Sequence, residues 1–133
     1  MNFKESISQY FLEISAFLAI FFTEISSALF AIGFLIMVDT FLGIWASKNK
    51  GGWKSITSRK AGRIVSKFIV YPLAIIVAKV SQTYLTPAIP WIDVTAGIIA
   101  TVEVKSIFEN SSLILGYNLW EKIKKAIWKD KED

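Results

Sequence analysis

The sequence predicts an all-α integral membrane protein: a bundle of three to four transmembrane helices with a basic cytoplasmic loop and an amphipathic C-terminal helix. Three observations predict it. Of the 133 residues 53% are hydrophobic, and they come in long blocks rather than at the alternating spacing of a soluble core. The stretch from Ser47 to Lys67 carries Lys48, Lys50, Lys54, Arg59, Lys60, Arg63 and Lys67 with no acidic residue. Lysines then recur on one face of the C-terminal segment.

In chain order, the first apolar block runs from about Ile7 to Phe22, interrupted by Glu13 and closed by Glu24. It is short for a span, so it either crosses the membrane or lies in the interface. The second, Ser27 to Ala46, is the cleanest span, with Asp39 its only charge. Gly51-Gly52 and Trp53 open the basic loop, and residues from about Ser58 to Lys67 suit a basic helix leading into the third block. That block, Phe68 to Leu85, holds Pro72 and Lys79. Pro87 and Pro90 mark a turn, with Trp91 as an interface anchor. A fourth block begins near Ile92 and ends near Phe108. The expected division is a transmembrane domain, residues 1–117, with spans near 7–24, 27–46, 68–86 and 91–109, and a basic amphipathic tail, 118–133. In that tail Trp120, Ile123, Ile127 and Trp128 oppose Lys122, Lys125 and Lys129.

Positive charge in short loops is retained on the cytoplasmic side. The loop (Lys48, Lys50, Lys54, Arg59, Lys60, Arg63, Lys67) therefore sets the topology and meets anionic lipid headgroups, and parity puts the C-terminus on the same side. No cleaved signal peptide is expected, because Glu5 follows Lys4 and Glu13 interrupts the first apolar run. The net charge of +4 sits beside membrane segments, so nucleic acid is not an expected partner.

The chain has neither cysteine nor histidine, which removes thiol nucleophiles, the usual zinc sites and the commonest general base. Glu103 and Glu109 are six residues apart and point to different faces of a helix, so they form no catalytic pair; Lys105 and Glu109 are instead placed for an i, i+4 ion pair. No enzyme, metal or cofactor is expected. Asp39, Lys79, Asp93, Glu103 and Lys105 nevertheless lie within or near spans, where a charge costs about 2.5–3.5 kcal/mol. Their neighbours form narrow faces of small and polar residues: Asp39, Thr40, Gly43, Ala46 and Ser47 on the second block; Asp93, Ala96, Gly97, Ala100 and Glu103 on the fourth; and, more weakly, Tyr71, Ala74, Ala78 and Gln82 on the third. Such seams let helices approach closely, with Phe, Ile and Leu facing lipid. They serve either one stable bundle or self-assembly.

Three elements, residues 39–46, 57–67 and 103–116, together resemble the bacteriophage holin family, the type associated with phage lysis and toxin secretion. Asp39-Thr40-Phe41-Leu42-Gly43-Ile44-Trp45-Ala46 is similar to its Asp-x-x-x-Gly-x-x-Ala signature. Thr57-Ser58-Arg59-Lys60-Ala61-Gly62-Arg63, with Lys67, is similar to its connector. Glu103-Val104-Lys105-Ser106-Ile107-Phe108-Glu109-Asn110 and Gly116 resemble its Glu-x-x-Ser-Ile-x-Glu-Asn element with a following glycine. The resemblance covers roughly residues 30–117. Lys105 departs from the family's apolar preference, and with methionine only at positions 1 and 37 the chain lacks the early second start that some holins use to make an inhibitor. The resemblance implies a protein of the bacterial host inner membrane that forms homo-oligomeric lesions and is functionally linked to an endolysin. Its assembly seam would comprise Asp39, Thr40, Gly43, Ala46, Asp93, Gly97, Ala100, Glu103, Glu109 and Asn110. Two other classes fit the residues alone: a membrane anchor or scaffold for a secretion or lysis apparatus, and a small channel. The channel is disfavoured by the lack of an inverted repeat or filter.

Overall fold

A computed structural model describes residues 3–53 and 58–129. Lys54 and the side chain of Arg59, both assigned to the basic loop, lie outside the described residues. The described residues form α1 (Phe3–Gly51), α2 (Ser58–Val80) extended by a π-helical turn (Ser81–Leu85), α3 (Trp91–Leu115) and α4 (Leu119–Lys129).

The first two expected spans are one helix. α1 runs unbroken for 49 residues, about 74 Å at 1.5 Å per residue. The polar run Thr23-Glu24-Ile25-Ser26-Ser27 reads as a boundary, yet it holds no proline or glycine. The Thr23 hydroxyl donates to the Ala19 carbonyl (2.7 Å) and the Ser26 hydroxyl to the Thr23 carbonyl (2.8 Å), so both polar groups are satisfied inside the helix. α1 stops where Gly52 takes a left-handed conformation (φ +68°) and its N–H reaches the Lys48 carbonyl.

α2 carries Pro72 within it. Its π-helical end returns the Thr86 N–H to the Ser81 carbonyl, and the Gln82 side chain then accepts the Ile92 N–H (3.1 Å), satisfying a donor in the first turn of α3. Trp91 is pinned at that turn by donating its indole N–H to Thr86. α3 ends at left-handed Gly116 (φ +75°), about two turns later than expected, and the Asn118 side chain caps α4 by accepting the Glu121 N–H. Alanine at Gly116 is expected to cost about 1 kcal/mol through that backbone angle alone, read as a lower melting temperature in detergent.

The second half of α1 packs with α2 and α3 as a three-helix bundle. Its core is built of isoleucines at helical spacing, Ile25, Ile32 and Ile36 of α1, with Ile75 of α2 and Ile99 of α3. Outside, large apolar groups are exposed on every helix, among them Phe30, Phe34 and Phe41 of α1, Leu73 and Val77 of α2, and Ile98 of α3. A surface of this kind belongs in lipid. The first half of α1 stands beyond the bundle, with every residue from Ile7 to Ile20 exposed. Two helical stretches, Lys4–Gly51 and Lys60–Leu85, are long and apolar enough to cross a membrane. α3 carries Asp93, Glu103, Lys105 and Glu109 and holds all the acidic residues of α2 and α3.

Candidate functional site: an ionic cluster inside an apolar bundle

Above the isoleucine core, towards the basic loop, each helix turns a polar residue inward. On α1 the inward stripe continues from Ile32 and Ile36 to Asp39, Gly43 and Ser47. On α3 it runs from Ile99 to Glu103, Ser106 and Asn110, and on α2 from Ile75 back to Tyr71, Lys67 and Lys60. The Lys67 ammonium lies between two carboxylates, 2.7 Å from Asp39 Oδ2 and 2.8 Å from Glu103 Oε2. Tyr71 donates its hydroxyl to Glu103 Oε1 (2.8 Å) and Asn110 donates its amide to Asp39 Oδ1 (2.9 Å). All four carboxylate oxygens therefore have a donor, and Glu103 is fully enclosed. One lysine serves two acids, leaving the cluster one formal negative charge. Lys60 and Arg63 line the adjoining cleft and add positive charge beside it.

Gly43 explains the spacing of its motif. One turn after Asp39, a Cβ there would come within 3.3 Å of Asn110 Nδ2. The glycine leaves the Asn110 amide its path to Asp39. Gly43→Leu is expected to push Asn110 off Asp39 and cost about 1–3 kcal/mol, measured as a fall in thermal stability, whereas Gly43→Ala should sit near neutral because helix propensity offsets the crowding.

Beside the cluster, Ser47 donates to the Gly43 carbonyl (2.7 Å) and accepts from the Lys60 ammonium. A cleft of about 360 Å³ opens here, between Thr40, Gly43 and Ser47 of α1, Lys60 to Lys67 of α2, and Ser106 and Asn110 of α3. At the other end of the bundle Lys79 pairs with Glu24 beside a more open cavity of about 490 Å³, lined also by Gln82 and Asp93. Among the described residues no group of acidic side chains is placed to hold a metal ion.

The residues expected to form the seam sit in two different surroundings. Asp39, Thr40, Gly43, Ala46, Ala100, Glu103 and Asn110 face into the bundle. Asp93, Gly97 and Glu109 are exposed and lie outside the cluster; Asp93 lines the open cavity beside Glu24 and Lys79 at the other end of the bundle. Glu109 makes its expected contact with Lys105, at 3.7 Å. Of the cations expected to meet headgroups, Lys67 and Lys60 make their contacts inside the bundle, on the same stripe of α2 as Tyr71, Ala74 and Ala78. That stripe was the available signal, since Lys60, Lys67, Tyr71, Ala74 and Ala78 share the helical repeat of the inward face.

Comparison with known proteins agrees with the motifs that meet at this cluster. The family match is to the bacteriophage holin family and covers residues 16–131. The chain belongs to the bacteriophage holin family. No curated protein and no solved structure matches it. This holin-family chain is thus a phage holin-type membrane protein, from a family that forms membrane pores and is not enzymatic. Its family and its apolar helices indicate the inner membrane. Asp39 and Gly43 of α1 and Glu103, Ser106 and Asn110 of α3, 64 residues apart from Asp39 to Glu103, are two walls of the cluster that Lys67 closes.

Proposed function

We propose that this chain is a holin that oligomerises in the host inner membrane into lesions, releasing or activating an endolysin for timed lysis. The observation that carries the reading is the family match over residues 16–131. The geometry is compatible with it. Three helices are held together by a shared ionic cluster while their lipid-facing surfaces stay apolar, so one contact set governs whether the helices stay together or repack with other copies. Abrupt assembly needs two packings separated by only a few kcal/mol.

In the topology proposed here the bundle crosses three times, with the basic loop and α4 cytoplasmic and the Pro87–Pro90 turn outside. The apolar arm of α1 before Glu24 then lies along the outer interface, which requires α1 to bend between the arm and the bundle once in the membrane. The cysteine-free chain makes this easy to test. A cysteine in place of Ser8 should react with an impermeant maleimide in intact spheroplasts, and one in place of Ala126 only after permeabilisation. The opposite pattern would invert the topology; protection of both would make the arm a fourth span.

The function itself is tested by following membrane potential in bacteria induced to express the chain, with and without a cytoplasmic endolysin. A silent interval, then sudden depolarisation, with lysis only when endolysin is present, is the expected result. One observation favours a second reading, a static membrane anchor for a lysis or secretion apparatus: every oxygen of the buried carboxylates is satisfied within a single chain. Intact potential despite proven membrane insertion would select it.

A further inference from the structure

We propose that the cleft at the basic end of the bundle is a binding site for a phosphate group, carried by an anionic phospholipid headgroup or by free phosphate. The inference rests on the membrane reading in one respect only, that the mouth of the cleft lies at headgroup depth.

The cleft, about 360 Å³, has the size of a small-molecule site. Its walls combine three cations, Lys60, Arg63 and Lys67, with the polar side chains of Ser47, Ser106 and Asn110. Asp39 is the one carboxylate on the lining, and both of its oxygens are already bound, to Lys67 and Asn110. Lys67 is likewise committed to Asp39 and Glu103. Lys60 and Arg63 are different. Neither makes an ion pair with a described acidic residue, and their spacing places them on neighbouring positions of one helix turn, where like charges repel. Two such cations on one turn, with Lys60 bonded to the neutral Ser47 hydroxyl oxygen and facing the Ser106 hydroxyl and Asn110 amide of α3, are complementary to a tetrahedral oxyanion. The guanidinium supplies a planar fork for two phosphate oxygens and the ammonium a point charge.

The position has a consequence. An occupant touching α1, α2 and α3 beside the Asp39–Lys67 pair holds the three helices in the arrangement seen here. Phosphate binding therefore stabilises the closed bundle, and its loss favours separation.

The test uses the full chain in neutral detergent, with thermal unfolding followed by tryptophan fluorescence at constant ionic strength set with chloride. One arm adds phosphatidylglycerol or, as control, phosphatidylcholine; the other adds inorganic phosphate without lipid. The expected result is a rise in melting temperature with phosphatidylglycerol that phosphatidylcholine does not give, an apparent affinity at least tenfold weaker in the Lys60→Gln/Arg63→Gln variant, and partial recovery in Arg63→Lys. An equal rise with inorganic phosphate, abolished by the same double variant, supports the site and assigns it to the free anion. No rise with either ligand, or a rise the double variant retains in full, overturns the proposal. Failure of the membrane reading is a separate result: fractionation would put the chain in the soluble phase, while the phosphate arm would still report on the cleft.

Discussion

Lys67→Met is expected to be the most damaging single substitution in the bundle. It removes the shared cation and leaves Asp39 and Glu103 to face each other, with Glu103 fully enclosed and Asp39 nearly so. Breaking a buried ion pair from one side typically costs about 3–5 kcal/mol, because the remaining charge is neither hydrated nor paired. Two carboxylates are stranded here, so the upper part of that range applies. The chain should lose most of its cooperative thermal transition in detergent and fall in membrane abundance. Lys67→Arg keeps the charge but must fit a planar fork where an ammonium bridges two helices, and should recover only part of the loss. The informative control removes all the charge at once. Asp39→Asn with Lys67→Met and Glu103→Gln should be markedly more stable than Lys67→Met alone, since a neutral, hydrogen-bonding set of similar volume pays no ionic desolvation. If Lys67→Met melted like the parent chain, the cluster would not be what holds the three helices together.

The sequence made the helical class, the lipid-facing surface and the inward faces legible, and the reasons are local. Asp39, Gly43 and Ser47 fall at i, i+4 and i+8, and Tyr71, Ala74, Ala78 and Gln82 follow the same repeat, so helical geometry alone groups them. The continuity of α1 was not legible, because Thr23 to Ser27 carry polar groups that usually accompany a boundary, and only the hydroxyl bonds back to the helix show that they do not interrupt it. Nor was the partner of the buried acids. Lys67 belongs, by sequence, to a run of cations that loop charge explains well, and its pairing depends on where α2 begins and on how α1 and α3 approach it. The same holds for Asn110 and Asp39, 71 positions apart and joined by one hydrogen bond. Exposure of Gly97, Asp93 and Glu109 follows from the rotation of α3, which packing against α1 and α2 decides and helical spacing within α3 alone does not.

A disulfide across the Gly43–Asn110 contact is expected to block membrane permeabilisation. A Cβ at position 43 would stand 3.8 Å from Asn110 Cγ, the atom whose place a cysteine sulfur at 110 would take, so Gly43→Cys and Asn110→Cys are expected to bridge once the backbones adjust to disulfide geometry. The chain has no native cysteine to compete. Because a bacterial cytoplasm would reduce such a bond, the comparison belongs in dye-loaded liposomes with purified protein, oxidised or reduced. The oxidised double variant should release dye at least tenfold more slowly than its reduced form, and reductant should restore release, while each single variant should be indifferent to reductant. The direction follows from the cluster. If lesions form by exchanging the α1–α3 contact at Asp39, Asn110 and Glu103 for contacts with other copies, a covalent tie at that contact leaves only the closed packing accessible. Equal release from the oxidised and reduced forms would mean that intact bundles assemble through their outer faces. Exposed Gly97, Asp93 and Glu109, with the apolar arm before Glu24, would then be the surfaces to mutate next.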